Sequence, residues 1–305
     1  MKRRRDAIEV NRPRQLVATS HRTGIAMSHP VELFGYPVVG RLGEGAASTI
    51  YRIRDPKSGA EYAIKHVVKR SDKDQRFIDQ VVGEHRIGTS IKHESIRRIG
   101  RLFRKRRRFR IVEVGLVMDC VDAPALDTLR DLSPLEQVRV FIRLAEGLMA
   151  MHDAGYVHAD MKPTNVLVDG ADVRIIDLGQ ACEIGTTKDR IQGTPGYIAP
   201  EQAHRRRITE RTDVYNLGAT MYWVVSGRLI PTALPPKGGE AEVASGPLGP
   251  DRIAMPTPLV ELVPGTPPEL SELVQDCVRV SRGDRPATMI PVIDRLLRVD
   301  RALSL

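Results

Sequence analysis

Long apolar runs are missing from this chain of 305 residues. A membrane-spanning helix needs about 20 consecutive, mostly apolar residues, and no stretch of the sequence approaches that length. The charged N-terminus is not followed by an apolar segment either, so no secretory signal is visible. We therefore expect a cytoplasmic protein without a transmembrane segment.

Cysteine is scarce, with Cys120, Cys182 and Cys277 as the three cysteines of the chain. Their number is odd, and their positions do not follow the spacing of metal ligands. A disulfide framework and a cysteine-based metal site are therefore both disfavoured. Reduced thiols in a cytosol fit the sequence better.

Acidic residues are nearly absent from two basic segments. Residues 1–30 contain seven Lys or Arg and two acids, and residues 101–110 contain seven Lys or Arg and no acid. Together the two segments carry more positive charge than the net +9 of the chain, so the remainder is slightly acidic. Such segments can bind nucleic acid or an anionic surface by charge alone. A solvated tail and a solvated hairpin tip are the commoner explanations.

The rest of the composition, 41% hydrophobic and 28% charged, is typical of a globular protein. The length allows two lobes that share a cleft, or one large domain. Residues 1–33 are polar, basic and without periodicity, so we expect a disordered arm there.

A glycine-rich turn follows, between two predicted strands within residues 34–55. It contains Gly43 and Gly45. Glycine lets backbone N–H groups approach phosphate oxygens because no Cβ is in the way. A short Gly-x-Gly turn alone remains a weak indication of nucleotide binding.

The next predicted strand, 61–68, carries Lys65. A lysine in an apolar strand is costly unless it is paired or solvated. A predicted helix around residues 73–91 supplies Glu84, nineteen residues after the lysine. The pattern alone leaves both possibilities open, a paired lysine and a solvated one.

Further along, residues 97–118 predict a hairpin with the basic segment 101–110 at its tip. Residues 133–136, Ser-Pro-Leu-Glu, form a capping box with proline at the first helical position. Apolar residues then recur at three- and four-residue spacing until Gly155, which predicts a long helix with a buried face.

The segment after this helix carries the densest group of polar residues. Asp160, Lys162 and Asn165 lie within six residues, and Pro163 argues against a helix. A short hairpin, with its turn at residues 169–170, is predicted to follow. Polar groups presented from a loop between regular elements are typical of a catalytic site.

In this order, the motifs resemble the protein kinase family, and most closely its bacterial eukaryotic-like Ser/Thr kinases. His-x-Asp-x-Lys-Pro-x-Asn at 158–165 resembles the catalytic loop, and Asp-Leu-Gly at 177–179 resembles the metal-binding motif. Ala-Pro-Glu at 199–201 resembles the end of the activation segment, with Arg285 as the expected partner of Glu201. The helical run 212–222 is similar to the buried helix of the larger lobe.

The resemblance covers about residues 34–300 and implies an α+β fold of two lobes. We expect a small β-rich N-lobe with one main helix at 34–119 and a mostly helical C-lobe at 120–300. The hinge is expected at about 119–122, and residues 301–305 are a tail.

The resemblance also implies transfer of the γ-phosphate of ATP to Ser or Thr of protein substrates, in signalling. The expected catalytic residues are Asp160, Lys162 and Asn165, and the expected ligands for Mg²⁺, with Mn²⁺ as an alternative ion, are Asn165 and Asp177. The expected nucleotide-binding residues are Leu42, Gly43, Gly45, Ser48, Ile50, Ala63, Lys65, Glu84, Asp119, Val121 and Leu167. Among them, the Asp119 carbonyl and the Val121 amide would hydrogen-bond adenine. The interval of nineteen residues is common between the strand lysine and the helix glutamate of the family, so the resemblance also implies that Glu84 pairs with Lys65.

Three departures from the family pattern concern regulation. Ala159 replaces the arginine that docks a phosphorylated activation loop, so self-phosphorylation at Thr186 or Thr187 is expected to change turnover little. Gly88 replaces a bulky apolar residue, which predicts an underfilled contact and a mobile helix. Residues 231–258, rich in proline and glycine, show no clear helix.

Two other functions compete with a protein kinase. A pseudokinase scaffold would bind nucleotide without transfer, but the ionic residues of the family are all present. A small-molecule phosphotransferase shares the two aspartates but lacks Ala-Pro-Glu with its arginine partner. Nucleic-acid binding by the basic segments is compatible with any of these and would show a steep salt dependence.

Overall fold

The computed structural model describes residues 30–45, 47–234 and 247–305. Residues 1–29 of the expected arm and residues 235–246 of the proline-rich stretch lie outside the described residues. In the described part, the strands are β1 (Glu32–Leu33), β2 (Tyr36–Glu44), β3 (Thr49–Arg54), β4 (Glu61–Val68), β5 (Ile99–Arg107), β6 (Arg110–Asp119), β7 (Tyr156–Val157), β8 (Val166–Asp169), β9 (Asp172–Ile175) and β10 (Cys182–Glu183). The α-helices are α1 (Gln75–Ser90), α2 (Pro134–Asp153), α3 (Pro200–Ala203), α4 (Glu210–Ser226), α5 (Leu259–Leu262), α6 (Pro268–Cys277) and α7 (Met289–Leu303).

The first half of the chain forms an antiparallel sheet of six strands in the order β1-β2-β3-β4-β6-β5. Helix α1 packs on one face of this sheet. Its residues Ile78 and Val81 are buried in a cluster with Val67 and Leu116 of the sheet. The range assigned to the arm overlaps the sheet at residues 32–33, which form β1. The predicted hairpin forms as β5 and β6.

The second half is mostly helical around α2 and α4. Helix α2 begins as predicted, since Ser133 Oγ accepts from the Glu136 amide at 3.3 Å and the Glu136 carboxylate accepts from the Ser133 amide at 2.7 Å. Helix α4 is buried from Thr212 to Tyr222 and ends at Gly227, which has a φ of 69°. The expectation of a buried helix there is confirmed, as is the two-lobed α+β fold.

The described parts of the proline-rich stretch 231–258 contain one short 3₁₀ turn, Pro250–Arg252, before α5 begins. All three cysteines lie in the described residues and are unpaired. Burial raises the pKa of Cys277 to about 12, which keeps this thiol protonated. Among the described residues, no helix combines the length and the apolarity that crossing a membrane requires.

Candidate active site

The first part of the site is an ion cluster that joins the two halves of the chain. Lys65 Nζ on β4 donates to Glu84 Oε2 on α1 at 2.7 Å. The same nitrogen donates to Asp177 Oδ1, after β9, at 3.0 Å. We call Lys65, Glu84 and Asp177 the cleft cluster. The Lys65–Glu84 ion pair that the resemblance implies is therefore formed, and Asp177 adds a second carboxylate.

The charges of the cleft cluster stabilise one another. Burial alone would lower the pKa of Lys65, but Glu84 and Asp177 raise it above the ordinary value. Burial would raise the pKa of Asp177, but Lys65 and the Gly179 amide lower it to about 2. Lysine and aspartate are thus both charged near neutral pH. The Asp177 side chain nevertheless keeps 42% of its surface exposed, so the cluster is open on one side.

The second part of the site is a closed triad around Asp160. Lys162 Nζ donates to Asp160 Oδ2 at 2.9 Å and to Thr194 Oγ1 at 2.8 Å. Thr194 Oγ1 donates in turn to Asp160 Oδ1 at 2.9 Å. Both carboxylate oxygens of Asp160 therefore have a partner, and Thr194 links the loop 158–165 to the segment that ends at Glu201.

A buried aspartate from α4 holds the backbone of this loop. Asp213 accepts from the amides of His158 and Ala159, each at 2.8 Å, and from His152 Nε2 at 2.9 Å. These bonds support the left-handed conformation of Ala159, whose φ is 60°. Gln202 Nε2 fixes the Ala159 carbonyl at 2.7 Å.

Sequence reasoning missed Asp213 and Gln202 as parts of the site. Their signal was present, because Asp213 is a charged residue in a helix predicted to be buried. Such a charge needs partners. Burial alone would raise the pKa of Asp213, but its hydrogen bond with His152 and the nearby histidines lower it overall.

Asn165 and Asp177 supply oxygen donors suited to a hard divalent cation. Asn165 Nδ2 donates to the Asp160 carbonyl at 2.9 Å, which leaves its amide oxygen for another partner. The Ile176 amide donates to the Asn165 carbonyl at 3.0 Å, so Asn165 is tied to the residue before Asp177. In the described residues, no group of three or more His, Cys, Asp or Glu side chains could hold a metal by itself. A Mg²⁺ ion usually binds through one or two carboxylates together with substrate phosphates, which this donor set fits.

The residues predicted to bind the nucleotide lie along β2, β3, β4 and the segment after β6. Ala63 faces Met118 across the β4–β6 pair, and both are about 1% exposed. Ile50 lies opposite Lys65, and the Gly45 amide donates to the Ser48 carbonyl at 2.7 Å to close the turn. The remaining predicted residues are placed in β2 (Leu42, Gly43), at the end of β6 (Asp119), after it (Val121) and in β8 (Leu167).

The prediction of an underfilled contact at Gly88 is wrong. A Cβ on Gly88 would lie 2.3 Å from Ile99 Cγ1 and 3.3 Å from Leu178 Cδ1. The side chains of Ile99 and Leu178 already occupy the space that a larger residue would take. Gly88 therefore permits a close approach of α1 to β5, and no space is left beside it for a larger side chain.

Thr186 and Thr187, in the segment between Asp177 and Glu201, are held differently. Thr186 Oγ1 donates to the Glu183 carbonyl at 2.7 Å, whereas Thr187 is exposed. Lys188 turns inward, and its Nζ donates to the Gln180 carbonyl at 2.5 Å. Burial lowers the pKa of Lys188.

At the end of the segment, Glu201 and Arg285 form the ion pair that the sequence predicted. The two guanidinium nitrogens donate to the two carboxylate oxygens at 2.8 and 3.0 Å. Their side chains are 6% and 0% exposed, respectively. We call this pair the C-lobe anchor.

Comparisons with known proteins find similar sequences over most of this chain. The protein kinase domain family matches residues 36–294. Serine/threonine-protein kinase pkn2 of Myxococcus xanthus is 28% identical over 88% of this chain and 33% of its own length. In Streptomyces coelicolor, the serine/threonine-protein kinases AfsK and PkaA are 30% and 31% identical over 84% and 81% of this chain, and over 31% and 46% of their own lengths. The chain thus spans about a third to a half of the length of these relatives.

Proposed function

The chain belongs to the protein kinase family, and we propose that it transfers the γ-phosphate of ATP to Ser or Thr hydroxyls of protein substrates. Two groups of hydrogen-bonded side chains support this proposal. They are the cleft cluster and the triad of Asp160, Lys162 and Thr194. Phosphoryl transfer requires little covalent work from the protein, so positioning and charge neutralisation supply most of the catalysis.

On the substrate side, Asp160 would accept or orient the hydroxyl that attacks the γ-phosphate. Lys162 would neutralise charge on the transferred phosphoryl group. Thr194 bonds both side chains at 2.8 and 2.9 Å, which supports a fixed orientation of the Asp160 carboxylate. A threonine that closes this triad supports Ser/Thr as the acceptor.

On the nucleotide side, Lys65 would orient the α- and β-phosphates while Glu84 holds it in place. Gly43, Gly45 and Ser48 would lie over the phosphates. The apolar residues Leu42, Ile50, Ala63 and Leu167 would sandwich adenine, with its polar edge on the Asp119 carbonyl and the Val121 amide.

Members of this family use ATP with a divalent cation, and we propose Mg²⁺ as that ion. It would be held by Asn165 and Asp177, and it would neutralise charge on the β- and γ-phosphates. Mn²⁺ offers the same oxygen chemistry and remains the alternative.

Protein kinases act on proteins and commonly on themselves. Of the two threonines predicted as self-phosphorylation sites, Thr187 is exposed, whereas the Thr186 hydroxyl donates to the Glu183 carbonyl. We therefore propose Thr187 as the more reactive site.

The test is transfer of radiolabelled phosphate from ATP to generic protein substrates, with and without Mg²⁺. Asp160→Asn is the matched control, because it keeps the size of the side chain and removes its charge. Label on Ser or Thr that disappears in this variant supports the proposal. No transfer by the wild type, together with a nucleotide-induced rise in melting temperature, would favour the pseudokinase scaffold instead.

A further inference from the structure

The β5–β6 hairpin extends beyond the neighbouring strand of the sheet. Strand β4 pairs with β6 as far as the Val68–Glu113 position, whereas β5 and β6 stay paired to the Arg107–Arg110 position. Strand β5 is also the edge of the sheet. Every residue from 104 to 110 is exposed to solvent, and we call this end of the hairpin the hairpin tip.

The cations of the hairpin tip are mostly unneutralised. Lys105 and Arg110 lie 3.2 and 3.8 Å from the nearest carboxylates. The other four side chains have no carboxylate within ion-pair distance among the described residues; they are Arg104, Arg106, Arg107 and Arg108. Arg107 and Arg110 are also directly opposite each other across the hairpin, an arrangement that destabilises an isolated sheet. An external anion would relieve this repulsion.

The turn itself adds an apolar group. Arg108 has a φ of 55°, a left-handed conformation that a non-glycine side chain disfavours. This turn presents Phe109, whose side chain is 99% exposed. A ring without polar atoms gains from leaving water, and this one is flanked in the chain by Arg108 and Arg110.

We propose that the hairpin tip binds the surface of an anionic lipid membrane. Phe109 would enter the boundary between headgroups and acyl chains, and the arginines would lie at the level of the lipid phosphates. Apolar residues flanked by cations bind such surfaces through the two contributions together.

Nucleic acid fits the tip less well, because single-stranded chains stack on rings presented along a groove or face. The other aromatic residue of the hairpin, Phe103, is not available for stacking. Its ring packs against Phe34 at 5.2 Å between centroids, and Arg101 lies over it at 4.6 Å. The tip therefore offers one protruding ring rather than a platform.

The test is sedimentation of the full chain with vesicles of phosphatidylcholine, alone or mixed with phosphatidylglycerol. The first variant is Arg106→Gln/Arg107→Gln/Arg108→Gln. Its matched control, Arg228→Gln/Arg252→Gln/Arg301→Gln, removes the same charge from exposed C-lobe arginines without an ion-pair partner in the described residues. The second variant, Phe109→Ala, removes the ring and keeps every charge. The arm is the same in all of these proteins, so differences among them report on the hairpin tip.

We expect binding to the anionic vesicles only. The triple tip variant should bind them at least tenfold more weakly, since each arginine near an anionic surface contributes to the affinity. Phe109→Ala should bind severalfold more weakly, and the C-lobe control less than threefold. Unchanged kinase activity in solution should show that the tip variants are folded. Equal losses in the tip and control variants would overturn the proposal, as would a tip variant that loses affinity for a labelled oligonucleotide and keeps its affinity for vesicles.

Discussion

The cleft cluster and the C-lobe anchor use the same kind of interaction in opposite ways. In the anchor, Arg285 donates to both oxygens of Glu201 and also to backbone carbonyls, including that of Arg279 at 2.7 Å. In the cleft cluster, Lys65 holds two carboxylates, but Asp177 remains 42% exposed. The anchor is a closed, fully satisfied unit, whereas the cleft cluster keeps capacity for a ligand. A buried charge pair whose donors are all hydrogen-bonded within the protein stabilises the fold. A pair that keeps an exposed carboxylate at a cleft can also bind a ligand.

The largest effect should come from the open side of the cleft cluster. Asp177→Asn keeps the shape of the side chain but removes the charge proposed to bind the divalent cation. We expect the rate of phosphate transfer to fall at least a thousandfold, which is about 4 kcal/mol in the activation barrier. The melting temperature should change little, because Lys65 keeps its bond to Glu84. Activity within tenfold of the wild type would show that Asp177 is not a metal ligand.

The C-lobe anchor should show the reverse, a loss of stability. Arg285→Met leaves Glu201 buried without its charged partner, which costs about 3 kcal/mol in the free energy of unfolding. Urea unfolding measures this loss. The control is Arg298→Met, which breaks a half-exposed ion pair with Glu269 at 2.8 Å and should cost less than about 1 kcal/mol. Equal losses in the two variants would remove the distinction between the anchor and a surface pair.

The sequence predicted those parts of the site that depend on local pattern or on fixed order. The capping box at Ser133 and the strand that carries Lys65 are visible in the chain itself. The pairing of Lys65 with Glu84, and that of Glu201 with Arg285, separated by 84 residues, came from the family resemblance. Because the motifs occur in the order of the family, even contacts between residues far apart in the chain could be predicted.

The contacts that the sequence did not predict depend on packing between elements far apart in the chain. Gly88 illustrates this, because its role depends on where Ile99 and Leu178 lie. A glycine in a helix pattern does not indicate whether its space is empty or already filled. Asp213 is similar, since its partners are backbone amides in a loop more than fifty residues away.

Helix α1 carries Glu84 of the cleft cluster, and two of its glycines allow a matched test of how the packing of this helix affects the cluster. Gly88→Ala would place a Cβ 2.3 Å from Ile99, so we expect a loss of about 1–3 kcal/mol in unfolding free energy and a lower rate of transfer. Gly83 lies in the same helix with nothing within 4 Å of a Cβ. Gly83→Ala should therefore stabilise by about 0.5–1 kcal/mol, through propensity alone. The comparison fails if Gly88→Ala stabilises the protein to the same extent.

The smallest effect should come from phosphorylation of the activation segment. Ala159 offers no cation to a phosphate, and Lys188 is turned inward to Gln180. The end of the segment is already held by Thr194 and by the C-lobe anchor. We therefore expect Thr186→Ala/Thr187→Ala to retain activity within tenfold, and phosphatase treatment to change kcat/KM by less than that factor.

A large effect of phosphorylation would also have a structural explanation. Arg76 and Arg190 line a cavity of about 520 Å³ between α1 and the activation segment, and Thr187 lies on its wall. A drop of tenfold or more, about 1.4 kcal/mol in the barrier, would mean that these arginines bind the phosphate. In that case Arg76→Gln should reproduce the loss in phosphorylated protein and have no effect on protein treated with phosphatase. Arg76 of helix α1 would then bind the phosphorylated segment in place of the arginine that is missing at position 159.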